Sequence, residues 1–478
     1  MNLKAINLAL VLITLLSTTS CVKFKNLYKE KEIDNEIGGG EIKESYIYPF
    51  KDENKNIVAE ISIQADANID LKTVEAEIPF LKYNKSWLFL ITQDDCAHSA
   101  YCSTWASING KPLSKDYFYD TDQLKAGDLP PDTYFLEKTL GSTDGAGNEV
   151  RFSFTTTLAP ENDCMNEKTK VDVGFNANYY RFYRKTGLVW NNVIEMLNYG
   201  VGIAFHDVIT ENVYDPDSIK AHFEKSQEII LSNLSGRGCK TLAEPNGNKV
   251  YVTAAQNCQF IQTMTAQAGA EILYPFEVKD DLKKKLLDRD FLEQDQIKDE
   301  IYSQLLLKKE SRKAIHIALH NTDSQWALFF LWLNDTYGKD GDDSVWVPNL
   351  EEYYEYNYYR THGSVTKTVT NNVLKITVTL PSDQYFYYPT VTVNLRGLKK
   401  DNITSIITNN SITGFSHSNY EDGVMLNIDC RKFLVEHATR FVEKYKENKT
   451  ESNKNDAIYF VNKLKDSDKK KELLLEIN

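Results

Sequence analysis

The sequence predicts an α/β protein built on a parallel sheet, with its reactive groups gathered at one end of that sheet. Between about residues 80 and 350, strand-like and helix-like segments alternate, which is the pattern of βα units laid around a parallel sheet. Within that stretch three apolar runs, Trp87–Ile91, Val201–Phe205 and Ala314–Leu319, lead respectively into Asp94 and Asp95, His206, and His320. Acids and imidazoles at the carboxyl ends of different strands are the layout of an active site in a (β/α) barrel.

The individual elements follow from periodicity. Val189, Val193, Met196 and Leu197 fall on one helical face, with Thr186 as N-cap and Gly200 as the stop, so a helix is expected immediately before the strand that carries His206. Residues 44 to 77 alternate in Ser45–Tyr48 and Val58–Ile63 around a polar turn at Asp52–Lys55, and read as a small N-terminal β element. The main body is expected over 78–362. Beyond it, the β-branched alternation of Val369–Thr379 and Thr390–Asn394 predicts a separate β-rich module over 363–429, of sandwich type. Residues 430–478 turn helical, and their charge runs suggest a surface helix pair.

Residues 1–21 have the layout of a secretory signal: Lys4, the apolar run Ala9–Leu16, then small residues ending at Cys21. That ending predicts a lipoprotein with Cys21 as its lipidated first residue, and the Lys-, Glu-, Asn- and Gly-rich stretch 22–43 as its tether. The expected location is therefore the cell envelope, anchored in a membrane by lipid. Because Val22 rather than Asp follows Cys21, the outer membrane is the expected one. An exported compartment allows the cysteines at 96, 102, 164, 239, 258 and 430 to form disulfides. Cys96 with Cys102 and Cys239 with Cys258 are nearest in sequence, but spacing alone does not choose among the possible pairings.

At 478 residues the chain has room for two or three domains. A net charge of −13 argues against nucleic acid or an acidic polymer as the partner. With 28 Tyr, 22 Phe and 6 Trp the chain has many rings able to stack on sugar faces, and a neutral or amino-sugar glycan fits better.

The stretch Thr92-Gln-Asp-Asp-Cys96 resembles the first motif of the polysaccharide deacetylases, Thr-Phe-Asp-Asp-Gly, with Gln93 and Cys96 departing from it. This family is also called NodB-homology or carbohydrate esterase family 4. Ile78–Ser86, Asn109–Lys111, Thr143–Asn148 and Trp346–Glu352 are similar to segments of deacetylase-like lipoproteins of the Bacteroidetes type. The resemblance implies a distorted seven-stranded barrel, a divalent metal, zinc first, and an acetylated glycan as substrate. It also implies roles: Asp94 as base, Asp95 and His206 as metal ligands, and His320 as acid.

Two departures bear on the chemistry. The second motif should read His-x-x-x-His, but here it is His206-Asp-Val-Ile-Thr210, so one ligand is missing and His98, Glu211 or Asp207 would have to replace it. The third motif, Arg-x-Pro-Tyr-Gly, is matched by Ala243-Glu-Pro-Asn-Gly247, so Asp94 is expected to lack its orienting guanidinium. Pro245, Asn246 and Gly247 are expected to shape the substrate pocket, with Trp326 and Trp346 as its walls. The alternative is a glycan-binding or envelope-interaction lipoprotein that has lost turnover. A glycosidase pair made of Asp94 with Glu244 or Glu352 is weaker, and His316 and His222 read as structural and surface residues.

Overall fold

The structure is a computed structural model that describes residues 55–174, 178–183, 187–207 and 214–478. The expectations for Cys21, the tether, Ser45–Tyr48, the Thr186 cap and Glu211 lie outside these residues. Among the described residues no helix is long and apolar enough to cross a membrane.

Eight parallel strands form a nearly closed barrel: β1 (Trp87–Gln93), β2 (Thr155–Leu158), β3 (Gly202–Phe205), β4 (Thr241–Ala243), β5 (Thr263–Ala266), β6 (Leu286–Asp288), β7 (Asp290–Phe291) and β8 (Ile315–Leu319). They lie in the order β6-β5-β4-β3-β2-β1-β8-β7. The two edge strands, β6 and β7, are separated in sequence by Arg289 alone, so a single residue brings the sheet's two edges together. Every residue of β1 is buried because both faces are covered, which is why it reads as a continuous apolar run. Trp87, Phe89 and Ile91 join one core, while Leu88 and Leu90 join a second one on the other face.

The helix before β3 spans Trp190–Asn198 and buries Val193, Met196 and Leu197, as the periodicity requires. It ends where Gly200 takes a φ of 89°, and the Val201 amide turns back onto the Met196 carbonyl at 3.2 Å.

The second core belongs to two four-stranded antiparallel sheets. In one, Ile57–Ala65 lies between Val373–Leu380 and Ile403–Thr408. In the other, Glu75–Glu77 flanks Thr390–Arg396, which pairs with Gly423–Asp429. The N-terminal strands therefore complete sheets whose remaining strands come from 364–429. Ile61, Ile376 and Val378 from one sheet and Val393, Leu426 and Ile428 from the other share this core, along with Trp346. The β-branched run 369–379 spans the turn of a hairpin, Ser364–Thr370 and Val373–Leu380. Asn371 and Asn372 turn the chain with φ of 48° and 62°, a conformation that Asn tolerates and a two-residue hairpin requires.

The C-terminus forms three helices, Leu434–Glu447, Glu451–Asn462 and Asp468–Ile477, where a surface pair was expected. Phe441, Phe460 and Leu473 from these helices enter the barrel's outer core, where Phe441 and Phe460 stack 4.0 Å apart. Asp456, only 1% exposed, accepts from Arg151 Nη1 at 2.6 Å and from the Tyr199 hydroxyl at 2.6 Å, and also pairs with Lys111. Burial alone would raise its carboxyl, but the Lys111 and Arg151 cations outweigh it and hold the group down at about 2.

Candidate active site

The carboxyl end of β1 is fixed from both sides. Gln93 replaces an apolar motif residue and stays fully buried because its amide is used: Nε2 donates to Ser99 Oγ at 3.1 Å and to the His320 carbonyl at 3.0 Å, and Oε1 accepts from Thr104 at 2.8 Å. The Asp94 amide donates to the Leu319 carbonyl at 2.8 Å, which ties the end of β1 to β8. The chain then turns sharply through two residues in the left-handed region, Asp95 at φ 63° and Cys96 at φ 50°. Cys96 stands where the resembled motif has Gly, the residue that takes this conformation most easily. Its amide donates to Thr157 Oγ1 at 3.1 Å, anchoring the turn to β2. Two consecutive non-glycine residues at positive φ mark local strain of the kind that collects at functional sites.

This turn aims the two carboxylates differently. Asp94 is buried, and its Oδ1 accepts from Arg289 Nη1 at 2.7 Å. Arg289, itself fully buried, also donates through Nη2 to the Glu244 carbonyl at 3.0 Å. Asp94 Oδ2 lies 4.0 Å from His206 Nε2. Asp95 is open to solvent, with Oδ1 3.5 Å from His206 Nε2 and Oδ2 3.8 Å from His320 Nε2. His320 is half-exposed and stacks on Phe291 with ring centroids 4.8 Å apart. The structure thus brings Asp94, Asp95, His206 and His320 to one point at the carboxyl ends of β1, β3 and β8.

His206 Nδ1 lies 2.8 Å from the Ala243 carbonyl, so that nitrogen carries the proton it donates and Nε2 is left facing the carboxylates. Burial pulls the His206 imidazole toward its neutral form, but Asp94 and Asp95 outweigh this and raise it above its ordinary value. The hydrogen bond from His206 in turn holds the Asp95 carboxyl below the usual carboxylate range, against its partial burial.

The expectation that Asp94 lacks a guanidinium partner is overturned by Arg289. That arginine comes from the β6–β7 junction rather than from the third-motif loop, so motif alignment around Pro245 could not reveal it. The loop still contributes through its backbone: the Ala243 carbonyl orients His206, and the Glu244 carbonyl orients Arg289. Of the loop's side chains, Pro245 is buried while Asn246 and Gly247 form an exposed turn at φ 53° and 69°.

His98 does not join the site. Its Nδ1 lies 3.1 Å from the Gly187 carbonyl, and its Nε2 lies 3.1 Å from both the Tyr119 carbonyl and Asp120 Oδ1. Both nitrogens therefore hold loops together. Asp207 accepts from the Tyr251 hydroxyl at 2.9 Å. Trp326 sits in the core against Phe329 and Phe330. Trp346 is 1% exposed, pairs beside Leu88 near the start of β1, and packs edge-on against Tyr353 and Tyr356. Both tryptophans are core residues rather than walls of this pocket. Glu352 is engaged by Lys82 at 2.8 Å and Glu244 by Lys249 at 2.7 Å, so neither makes a carboxylate pair with Asp94. His222 bonds Glu161 at 2.6 Å. His316 Nε2 lies 3.0 Å from Thr92 Oγ1, and burial beside Arg289 lowers its imidazole to about 3, which fixes it as a neutral structural group. No disulfide joins the described cysteines.

Whether these residues suit a metal can be judged from their spacing. Two ligands of a tetrahedral ion bound at about 2.0–2.1 Å stand roughly 3.4 Å apart, and Asp95 Oδ1 and His206 Nε2 are 3.5 Å apart. With its other nitrogen fixed on a backbone carbonyl, His206 is oriented as metal-bound imidazoles are. The pair fits two corners of a site. Among the described residues no group of three or more His, Cys, Asp or Glu side chains encloses an ion.

A nearly closed parallel barrel with a guanidinium-held aspartate, a second exposed aspartate and two histidines at its strand ends defines a barrel protein with a cluster of carboxylates and imidazoles at one end. Comparison with family models matches residues 59–477 to the family described as "Putative polysaccharide deacetylase", and the chain belongs to this family. Comparison with curated proteins returns no match. Membership supports deacetylase activity in general, implies an acetylated carbohydrate as substrate, and brings with it the family's general dependence on a metal.

Proposed function

We propose that this chain is a divalent-metal-dependent deacetylase, with zinc as the first choice, that removes acetyl groups from an N- or O-acetylated envelope or dietary glycan. We place it outside the cytoplasm, anchored through a lipid on Cys21 in the outer membrane. The strand count supports a seven-stranded barrel of the NodB-homology type, because β6 and β7 become one bent strand when joined through Arg289. The observation that carries the reading is the meeting of Asp95 and His206 at 3.5 Å beside an Asp94 that is bonded by Arg289.

Asp95 and His206 would hold the ion, with Glu211 the remaining candidate for a third ligand. A bound divalent ion supplies Lewis acidity, favouring a nucleophilic water near neutral pH and stabilising the oxyanion of the attacked acetyl group. Asp94 takes a proton from the attacking water, and the Arg289 guanidinium holds that carboxylate in place. His320, half-exposed at the mouth, gives a proton to the departing nitrogen or oxygen, so that water and the acetylated sugar become acetate and the free amine or hydroxyl. Phe291 beneath the His320 ring and Gln93 on its carbonyl limit its motion.

The test is acetate release from acetylated chito-oligosaccharides by protein with and without chelator, followed by zinc add-back. Zinc-restored activity that is lost in Asp95→Ala is the expected result, and activity surviving both chelation and that substitution would refute the mechanism. A glycan-binding role without turnover is the second reading, favoured by having only two ligand groups of the motif in place. Metal-independent glycan binding with no acetate release would establish it.

A further inference from the structure

At the opposite end of the barrel from Asp94, a cavity of about 130 Å³ opens where the barrel, the β-sandwich and the C-terminal helices meet. Its walls include Ser153 and Gly200, which precede β2 and β3, Phe415 and Asn427 from the sandwich, and Tyr459 and Lys463 from the C-terminal helices. That volume holds on the order of ten waters, enough to be exchanged for one sugar ring.

Two features narrow the ligand. The first is charge balance. Lys82 pairs with Glu352 at 2.8 Å, Arg151 with Glu149 at 3.3 Å, and Arg431 with Asp429 at 2.5 Å, while the remaining charges on the wall, Lys463 and Asp144, offset each other. A wall without net charge gives no preference to phosphate, carboxylate or cation, yet it is too polar for an apolar guest. The second is a ring face: the half-buried Phe415 stands on the sheet across from the C-terminal helices. Hydroxyls that both give and accept hydrogen bonds, carried on a ring with apolar C–H faces, match both features.

We propose that this cavity is a second saccharide-binding site, for a neutral sugar unit, remote from the Asp94 site and independent of its chemistry. Hydrogen–deuterium exchange on the full protein, with acetylated chitotetraose, cellotetraose or an oligogalacturonate as probe, reads it directly. Both neutral probes should slow exchange in segments 144–153, 414–418 and 459–463, and should do so equally in Asp95→Asn. Phe415→Ala with an unchanged unfolding temperature should raise the probe concentration needed by about tenfold, the loss expected for one stacking contact. Protection confined to the loops around 94–98, 206 and 320, protection of the cavity segments by the oligogalacturonate alone, no protection from any probe, or an unaltered concentration dependence in Phe415→Ala would each overturn the proposal.

Discussion

Arg289 Nη1 lies 2.7 Å from Asp94 Oδ1, joining residues 195 positions apart in sequence inside a pocket from which both side chains exclude solvent almost completely. The guanidinium is planar and forked, so it fixes Asp94 with one nitrogen and the Glu244 carbonyl with another. Arg289→Lys keeps the charge but loses the fork, and kcat for acetate release is expected to fall roughly tenfold or more. Arg289→Met leaves a buried carboxylate unpaired and should cost about 3–5 kcal/mol of stability. An unchanged kcat in Arg289→Lys would show that Asp94 does not depend on this orientation.

His98 is predicted to be structural. His98→Ala breaks contacts that hold Gly187, Tyr119 and Asp120, and should lower stability by about 1–3 kcal/mol. Metal content of the purified variant, measured by mass spectrometry, should equal that of the parent. Loss of metal at retained fold would return His98 to the ligand set.

Cys96 occupies a position that glycine suits better. At φ 50°, Cys96→Gly relieves strain on the order of 1–3 kcal/mol while giving up a buried thiol, so chemical denaturation should show little net change and activity should persist. Cys96→Val adds a β-branched side chain to the same backbone and should abolish both. Equal tolerance of Gly and Val would mean that the turn relaxes when substituted.

Two buried histidines set an acid limit on stability. His316 and His437 are both lowered by burial from the ordinary 6.5 to about 3, and the neutral His437 ring is bonded through Nε2 to the Asn198 carbonyl at 2.9 Å. Their folded values lie below their unfolded ones, so below pH 6.5 the unfolded chain binds more protons. Stability therefore falls as pH drops from 6.5 toward 3, by about 1.4 kcal/mol per pH unit for each histidine well inside that window. Urea unfolding of His437→Gln between pH 4 and 6 should show a slope shallower by one such increment. An unchanged slope would place the charge elsewhere.

The parts of the fold legible in the sequence were those with strong local signals. The strands ending at Gln93, Phe205 and Leu319 are largely apolar because both faces of a barrel strand are covered, and each is followed by a polar residue, Asp94, His206 or His320, where the sheet ends. The helix before β3 was equally plain from its spacing and its glycine stop. Asn371 and Asn372 carried a turn signal inside a β-branched run, and the alternation masked it. Arg289 had no motif to announce it: its meaning lies in standing between the two edge strands, a long-range fact. Trp326 and Trp346 showed the opposite difficulty, since large aromatics suit a sugar pocket and a core equally well until burial is known. His98 was drawn toward Asp95 by proximity in sequence, but the left-handed turn at Asp95 and Cys96 sends the chain elsewhere.

The strand Ile57–Ala65 sits in the middle of its sheet, between strands that begin at Val373 and Ile403. A ribosome delivers it more than three hundred residues before its neighbours, so this strand must stay unpaired while the barrel assembles behind it. Contacts of such sequence separation are slow to form, and an exposed, β-prone strand waiting for its partners is a hazard for aggregation. The sandwich is therefore the last layer to close, and residues 363–429 cut out alone would lack a central strand and an edge strand of their own sheets.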